Sequence, residues 1–224
     1  MPEMQMDPGK TARVAEYRKM NVTAPKGTVL FAGSSLMEHF PIEAFAAEMG
    51  VPFPVLNRGV SGFIIPELDA CLEECVLQLR PRRLFINIGT NDLTREENTT
   101  ASVVDAFEAL LDRILAALPG LEVVLMAYYP VNPECAPNEW MRHALQVRSN
   151  ARISEANALV KAMAARRGFT YIDVNAPLKD AQGRLRAEYT TEGMHIRPEG
   201  YRAIMPLLLP YITGDLPEKG GAPC

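Results

Sequence analysis

The stretch LFAGSSLMEHF, Leu30 to Phe40, ends an apolar run in Gly33-Ser34-Ser35 and passes into a helical pattern. Two small hydroxyls at a strand-to-helix corner admit three chemistries: a helix cap, a phosphate cradle or a nucleophile. A serine attacks a carbonyl only when a base takes its proton. Histidine suits that part because its pKa lies near neutrality. A carboxylate beside the imidazole fixes its tautomer and stabilises the imidazolium. Donors must also meet the developing oxyanion, and losing one costs ~3–4 kcal/mol in the barrier. The chain offers each of these residue types. Glu192 and His195 stand in TTEGMHIRPEGY, Asn91 stands in GTND, and Gly62 in NRGVSG frees a backbone N–H. His39 and His143 have no such setting and read as surface or rim residues.

These residues must be brought together by the elements that carry them. Short β-rich runs alternate with helical patterns along the chain. Strands are expected at Thr28–Gly33, Phe53–Gly59, Arg82–Gly89, LEVVLMAYYP and FTYIDV. Helices are expected over MEHFPIEAFAAEMG, where Pro41 delays the start, and over PELDACLEECVLQL, with Pro66 in its first turn. A third covers TASVVDAFEALLDRILAALPG, where Val103, Phe107, Leu110, Leu111 and Ile114 share a face. A long helix follows the loop VNPECAPNE and runs through Ala165; the last begins near Pro198.

Five apolar strands separated by helices imply an α/β fold, a parallel sheet covered on both faces. Right-handed crossovers make it a three-layer α/β/α sandwich of flavodoxin-like type. Residues 1–224 read as one domain with its core over about 28–210. A helical segment at 9–20 packs outside the sheet, and a disordered tail covers 213–224. Ligands bind such sheets at the carboxyl ends of the strands. Ser34, Ser35, Asn57, Arg58, Gly62, Asn91, Asp92, Tyr128, Tyr129 and Asn132 all fall there. Arg58 and Tyr129 are candidate substrate contacts, and Asp92 reads as a structural cap.

Composition narrows the function further. A net charge of −4 argues against a broad nucleic-acid surface. No apolar run reaches the ~20 residues that span a bilayer, and residues 1–21 hold no signal core. The expectation is a cytoplasmic protein without a membrane span. Cys71 and Cys75 lie on one apolar helical stripe and read as buried thiols, since their spacing is not the CxxC of metal or redox sites. Cys135 and Cys224 show no partner. Whether copies of the chain associate is left open by the sequence.

Together these blocks resemble the SGNH hydrolases, also called GDSL-type esterases and lipases, and most closely their platelet-activating-factor acetylhydrolase-like branch. The first block is Gly33-Ser34-Ser35, with Ser34 at the usual aspartate position. The second is Gly62, the third Gly89-Thr90-Asn91-Asp92, and the last Glu192-Gly193-Met194-His195, with glutamate at the usual aspartate position. The likeness runs from Thr28 to about Leu209. It implies the same five-stranded sandwich. It also implies Ser35 as nucleophile, His195 as base, Glu192 as orienting acid, and Ser35, Gly62 and Asn91 as the oxyanion hole. Ser34 is expected to hydrogen-bond locally at the turn. A backbone carbonyl in place of Glu192 is the alternative partner for the imidazole.

The implied activity is hydrolysis of a small-molecule carboxylic ester through an acyl-enzyme, with no metal or organic cofactor. Short loops favour short acyl groups of acetyl type, including acetyl esters on carbohydrates. A thioesterase or lysophospholipase is the alternative within the family. A nucleotide- or flavin-binding module is the alternative outside it, but the first block lacks the repeated glycines of a dinucleotide or Walker loop. A catalytically dead homologue acting as a binding protein is the third class.

Overall fold

Val, Leu, Phe and Ile dominate five short strands: β1 (Val29–Gly33), β2 (Val55–Gly59), β3 (Arg83–Asn87), β4 (Glu122–Met126) and β5 (Thr170–Ile172). In a computed structural model, which describes residues 6–215, they form one sheet in the order β2-β1-β3-β4-β5. Every pairing is parallel, so all five carboxyl ends leave the sheet at one edge. β1 lies between β2 and β3, where the strand order reverses.

Side chains alternate across a strand, and the sheet therefore builds two apolar layers. Val29, Phe31, Phe85, Val124 and Met126 meet α2 (Ser35–Glu38), α3 (Ile42–Glu48) and α9 (Pro198–Thr213) on one face. Leu30, Ala32, Leu84, Ile86 and Leu125 meet α1 (Pro8–Met20), α4 (Ile65–Ala70), α5 (Leu72–Cys75), α6 (Thr100–Ala117) and α8 (Asn150–Arg167) on the other. Phe31 and Phe85 are register partners in adjacent strands and stack at 4.5 Å between ring centroids. Cys71 and Cys75 are buried free thiols in the second layer.

α1 matches the helical segment expected at the N-terminus. It docks beside β2: Tyr17 Oη donates to the Gly59 carbonyl, Lys10 pairs with Glu67, and Arg18 with Glu74. The tail expected to be disordered falls largely on residues 216–224, outside the described residues. No helix of the described residues is long and apolar enough to cross a membrane.

Three expected helices are interrupted. The first divides into α2 and α3 around Phe40-Pro41, because proline lacks an N–H and disfavours helical backbone before it. The second divides into α4, α5 and a 3-10 turn at Leu77–Leu79. The long helix through Ala165 divides into α7 (Glu139–Val147) and α8. There Ser149 is extended, and its side chain accepts from the Arg152 N–H at 3.3 Å. Serine competes with the helical backbone in this way and starts a new helix.

Ser149→Ala removes that cap. It should lower stability by about 1 kcal/mol, read as a shift of the urea midpoint with an unchanged m-value.

Candidate active site

The carboxyl end of β1 delivers Ser35 as the first residue of α2. Gly59, at the end of neighbouring β2, lets α2 approach: a Cβ there would stand 2.2 Å from the Glu38 nitrogen. The first N–H groups of a helix have no intrahelical acceptor, so they face outward as donors. The expected local bond of Ser34 is not formed. Its Oγ is buried without a hydrogen-bond partner among the described residues, while the Ser34 carbonyl accepts the N–H groups of Met37 and Glu38.

The loop after β2 is tied to α2 on several sides. Val60 N–H donates to the Gly33 carbonyl, and Ser61 N–H donates to Glu38 Oε2 at 2.6 Å. Gly62 follows with φ at +75°. Phe63 then connects this loop to the next: its carbonyl accepts from Asn91 Nδ2 at 2.9 Å. Asp92 makes a second connection by accepting the Ile65 N–H at 3.2 Å. Asp92 is thus a structural link between the loops after β2 and β3. Burial pushes its carboxyl pKa up to about 6.

The segment before α9 brings the remaining groups. His195 Nε2 lies 3.0 Å from Ser35 Oγ, and His195 Nδ1 lies 3.2 Å from Glu192 Oε1. The same Glu192 oxygen accepts the N–H groups of Met194 and His195, while Thr191 Oγ1 donates to Oε2. Burial opposes ionisation of Glu192, but these bonds and the imidazole charge outweigh it and hold its pKa down at about 2. Gly193 has φ at +91°, and a Cβ on it would stand 2.1 Å from the Asn132 carbonyl oxygen. The Asn132 N–H donates to the Gly193 carbonyl at 2.7 Å, which clips this segment to the loop after β4. On α9, Tyr201 stacks on Phe40 and donates to the Leu36 carbonyl at 2.7 Å. That bond ties α9 to α2.

The structure therefore gathers Ser35, Glu192 and His195 within hydrogen-bonding reach, and ties the loops of Gly62 and Asn91 together. It does not open Arg58 or Tyr129 to a ligand. Arg58 is buried against Asn21, Asn57 and the Tyr17 ring; Tyr129 is buried against Tyr201. His143 is exposed beside Glu96. His39 stands with its ring 5.0 Å from that of His195 and its Nε2 3.3 Å from Ser61 Oγ. Burial and the neighbouring His195 lower its pKa. The signal for His39 was its i, i+4 spacing from Ser35 on a short helix. Arg148 gave no such signal, being hidden inside one long expected helix.

A family profile described as GDSL-like lipase/acylhydrolase matches residues 33–203. The chain belongs to the GDSL-like lipase/acylhydrolase family. Membership makes it a hydrolase of ester bonds. Among solved structures it is similar to a Streptococcus pneumonia protein provisionally named a platelet activating factor, at 26% identity and a TM-score of 0.78, covering 91% of this chain and 92% of that one. A GDSL-like lipase from Bacteroides thetaiotaomicron is similar at 21% identity and a TM-score of 0.74, covering 92% and 99%. A catalytic mutant of an acetylxylan esterase from Geobacillus stearothermophilus shares the fold at 18% identity and a TM-score of 0.62, covering 84% and 95%. A search of curated proteins finds no match.

In this hydrolase, the raised pKa of Asp92 has a definite sign. Between an unfolded value of 3.8 and about 6, the native state holds more protons than the unfolded chain. Stability contributed by this group falls as pH rises through that window. Asp92→Asn keeps an acceptor for Ile65 and removes the charge. It should raise the melting temperature at pH 8 and leave it unchanged at pH 4.

Proposed function

We propose that this member of the family is a serine esterase with Ser35 as nucleophile. The observation that carries the reading is the chain of contacts Ser35 Oγ–His195 Nε2 and His195 Nδ1–Glu192 Oε1, at 3.0 and 3.2 Å. His195 takes the Ser35 proton as Oγ attacks the ester carbonyl. Glu192, ionised, keeps the proton on Nδ1, so Nε2 is free to act as base. The tetrahedral oxyanion is met by the N–H groups of Ser35 and Gly62 and by the Asn91 amide. His195 then protonates the departing alcohol. Water, deprotonated by the same nitrogen, releases the acid and restores Ser35.

The substrate we assign is a small ester of acetyl type, including acetyl groups on carbohydrates. The fold shared with an acetylxylan esterase supports it. A binding module for a nucleotide or flavin would leave the His195–Ser35 contact without a part to play.

Fluorophosphonate labelling with intact mass and peptide mapping tests the nucleophile. One adduct on Ser35 is expected in the wild type and in Ser34→Ala, and none in Ser35→Ala. No adduct on folded wild-type protein would overturn the assignment. A graded ester panel tests the substrate: turnover should fall as the acyl chain lengthens beyond a few carbons.

Glu192→Gln should lower kcat by about 10²–10⁴-fold, because an amide does not hold the imidazole in one tautomer. It also has a stability signature. A depressed carboxyl pKa contributes stability above the unfolded value of 4.5, lost as pH falls toward about 2. The variant should therefore melt lower than wild type at pH 7, with the gap narrowing in acid.

A further inference from the structure

Arg148 is a buried cation that the mechanism above does not use. It sits at the break between α7 and α8, 2% exposed. Its Nη1 lies 3.4 Å from the Thr90 carbonyl oxygen and 3.4 Å from Asn91 Oδ1. Its Nε and Nη2 have no hydrogen-bond partner among the described residues. Glu192 contributes charge from a distance, yet burial still pushes the guanidinium pKa down to about 10. It stays protonated at neutral pH.

A cation in this state destabilises the fold that contains it. Buried charges are ordinarily paired, and an apolar side chain of similar volume is often neutral or better. What the guanidinium touches is the loop of Asn91. Asn91 is held at both ends of its amide. Nδ2 donates to the Phe63 carbonyl at 2.9 Å, and Oδ1 faces Arg148. A carbonyl oxygen only accepts and a guanidinium only donates. The two contacts therefore forbid the flipped amide, in which Oδ1 would face Phe63. One N–H of Nδ2 is left over.

We propose that Arg148 is a positioning residue, which locks the Asn91 amide so that its remaining N–H faces the oxyanion of the reacting ester. Its charge, little screened in this interior, also polarises that N–H toward a stronger donor. The inference rests on the serine-esterase reading and on Asn91 as an oxyanion donor. The break at Ser149 is part of the device. Were α7 and α8 one continuous helix, residue 148 would lie mid-helix instead of at a corner beside the loop after β3.

A double-mutant cycle on the full-length enzyme tests this. Steady-state kinetics on an acetyl ester, fluorophosphonate labelling rates and melting temperatures are read for Arg148→Met, Arg148→Lys, Asn91→Ala and Arg148→Met/Asn91→Ala. Arg148→Met should lower kcat and the labelling rate by at least ~10-fold with KM nearly unchanged, since removing a whole oxyanion donor costs about 10²–10³-fold. Its melting temperature should equal or exceed that of the wild type. Arg148→Lys, which keeps a charge and a donor, should recover much of the loss. In the Asn91→Ala background the methionine should cost no further activity, because the residue through which it acts is gone.

A wild-type rate in Arg148→Met would overturn the inference, as would an equal loss in the presence and absence of the Asn91 amide. An activity loss that tracks a fall in melting temperature and that lysine does not relieve would also overturn it. Each of these leaves Ser35 labelled in the wild type. Wild-type protein that neither labels nor turns over an ester overturns the esterase reading itself, and the inference with it.

Discussion

The contact between Ser35 and His195 joins residues 160 positions apart in the chain. Nothing local holds them together. Their meeting depends on a sheet whose parallel strands all end at one edge, so that the loops after β1, β2, β3 and β4 and the segment before α9 share a small region. The apolar layers on both faces fix the strands that carry them. The polar bonds then set the last ångströms. Tyr201 ties α9 to α2, Asn132 clips the turn at Gly193, and Glu38 holds the loop of Gly62. Each of these bonds joins two loops or helices rather than stabilising one, and a site with demanding geometry needs that kind of support.

The electrostatics of the region are arranged around three buried or half-buried charges with different compensation. Glu192 is surrounded by donors, and its charged form is favoured despite burial. Asp92 accepts the Ile65 N–H and feels the charge of Arg95, but burial outweighs both and its neutral form gains. Arg148 has two long contacts and two idle nitrogens, and its charged form is penalised. Neighbouring loops thus hold one well-compensated charge and two poorly compensated ones. Hydrogen bonds made to the charged form decide the difference, since burial works against ionisation in all three.

Much of the architecture was legible from periodicity. Continuous apolar runs of strand length, separated by helical stripes, can bury themselves only in a parallel sheet covered on both faces. The strand positions agree with those expected to within a few residues, the structured ends being shorter: β2 begins at Val55 rather than Phe53, and β4 stops at Met126. Helix continuity was harder to read. Pro41 announced its break locally, but Ser149 is an ordinary residue within an apolar stripe, and only the packing decides whether such a residue bends, caps or ends a helix. Ser34 shows the same limit. A local hydrogen bond is expected of this turn serine, but its Oγ is buried with no partner among the described residues.

The sequence by itself determined the fold class, the family blocks and the residue types able to attack, accept a proton and meet an oxyanion. These follow from local spacing and from the chemistry of each side chain, which do not depend on neighbours far along the chain. Only the tertiary structure decided that Glu192 faces Nδ1 of His195, that Arg58 and Tyr129 are packed away from solvent, and that Arg148 stands behind Asn91. Glu192 and His195 are three residues apart, but their turn is held by Asn132 from the loop after β4; the other two are relations between segments distant in sequence, where burial is set by which helices cover which face. Periodicity within one segment carries no information about its partner across the sheet.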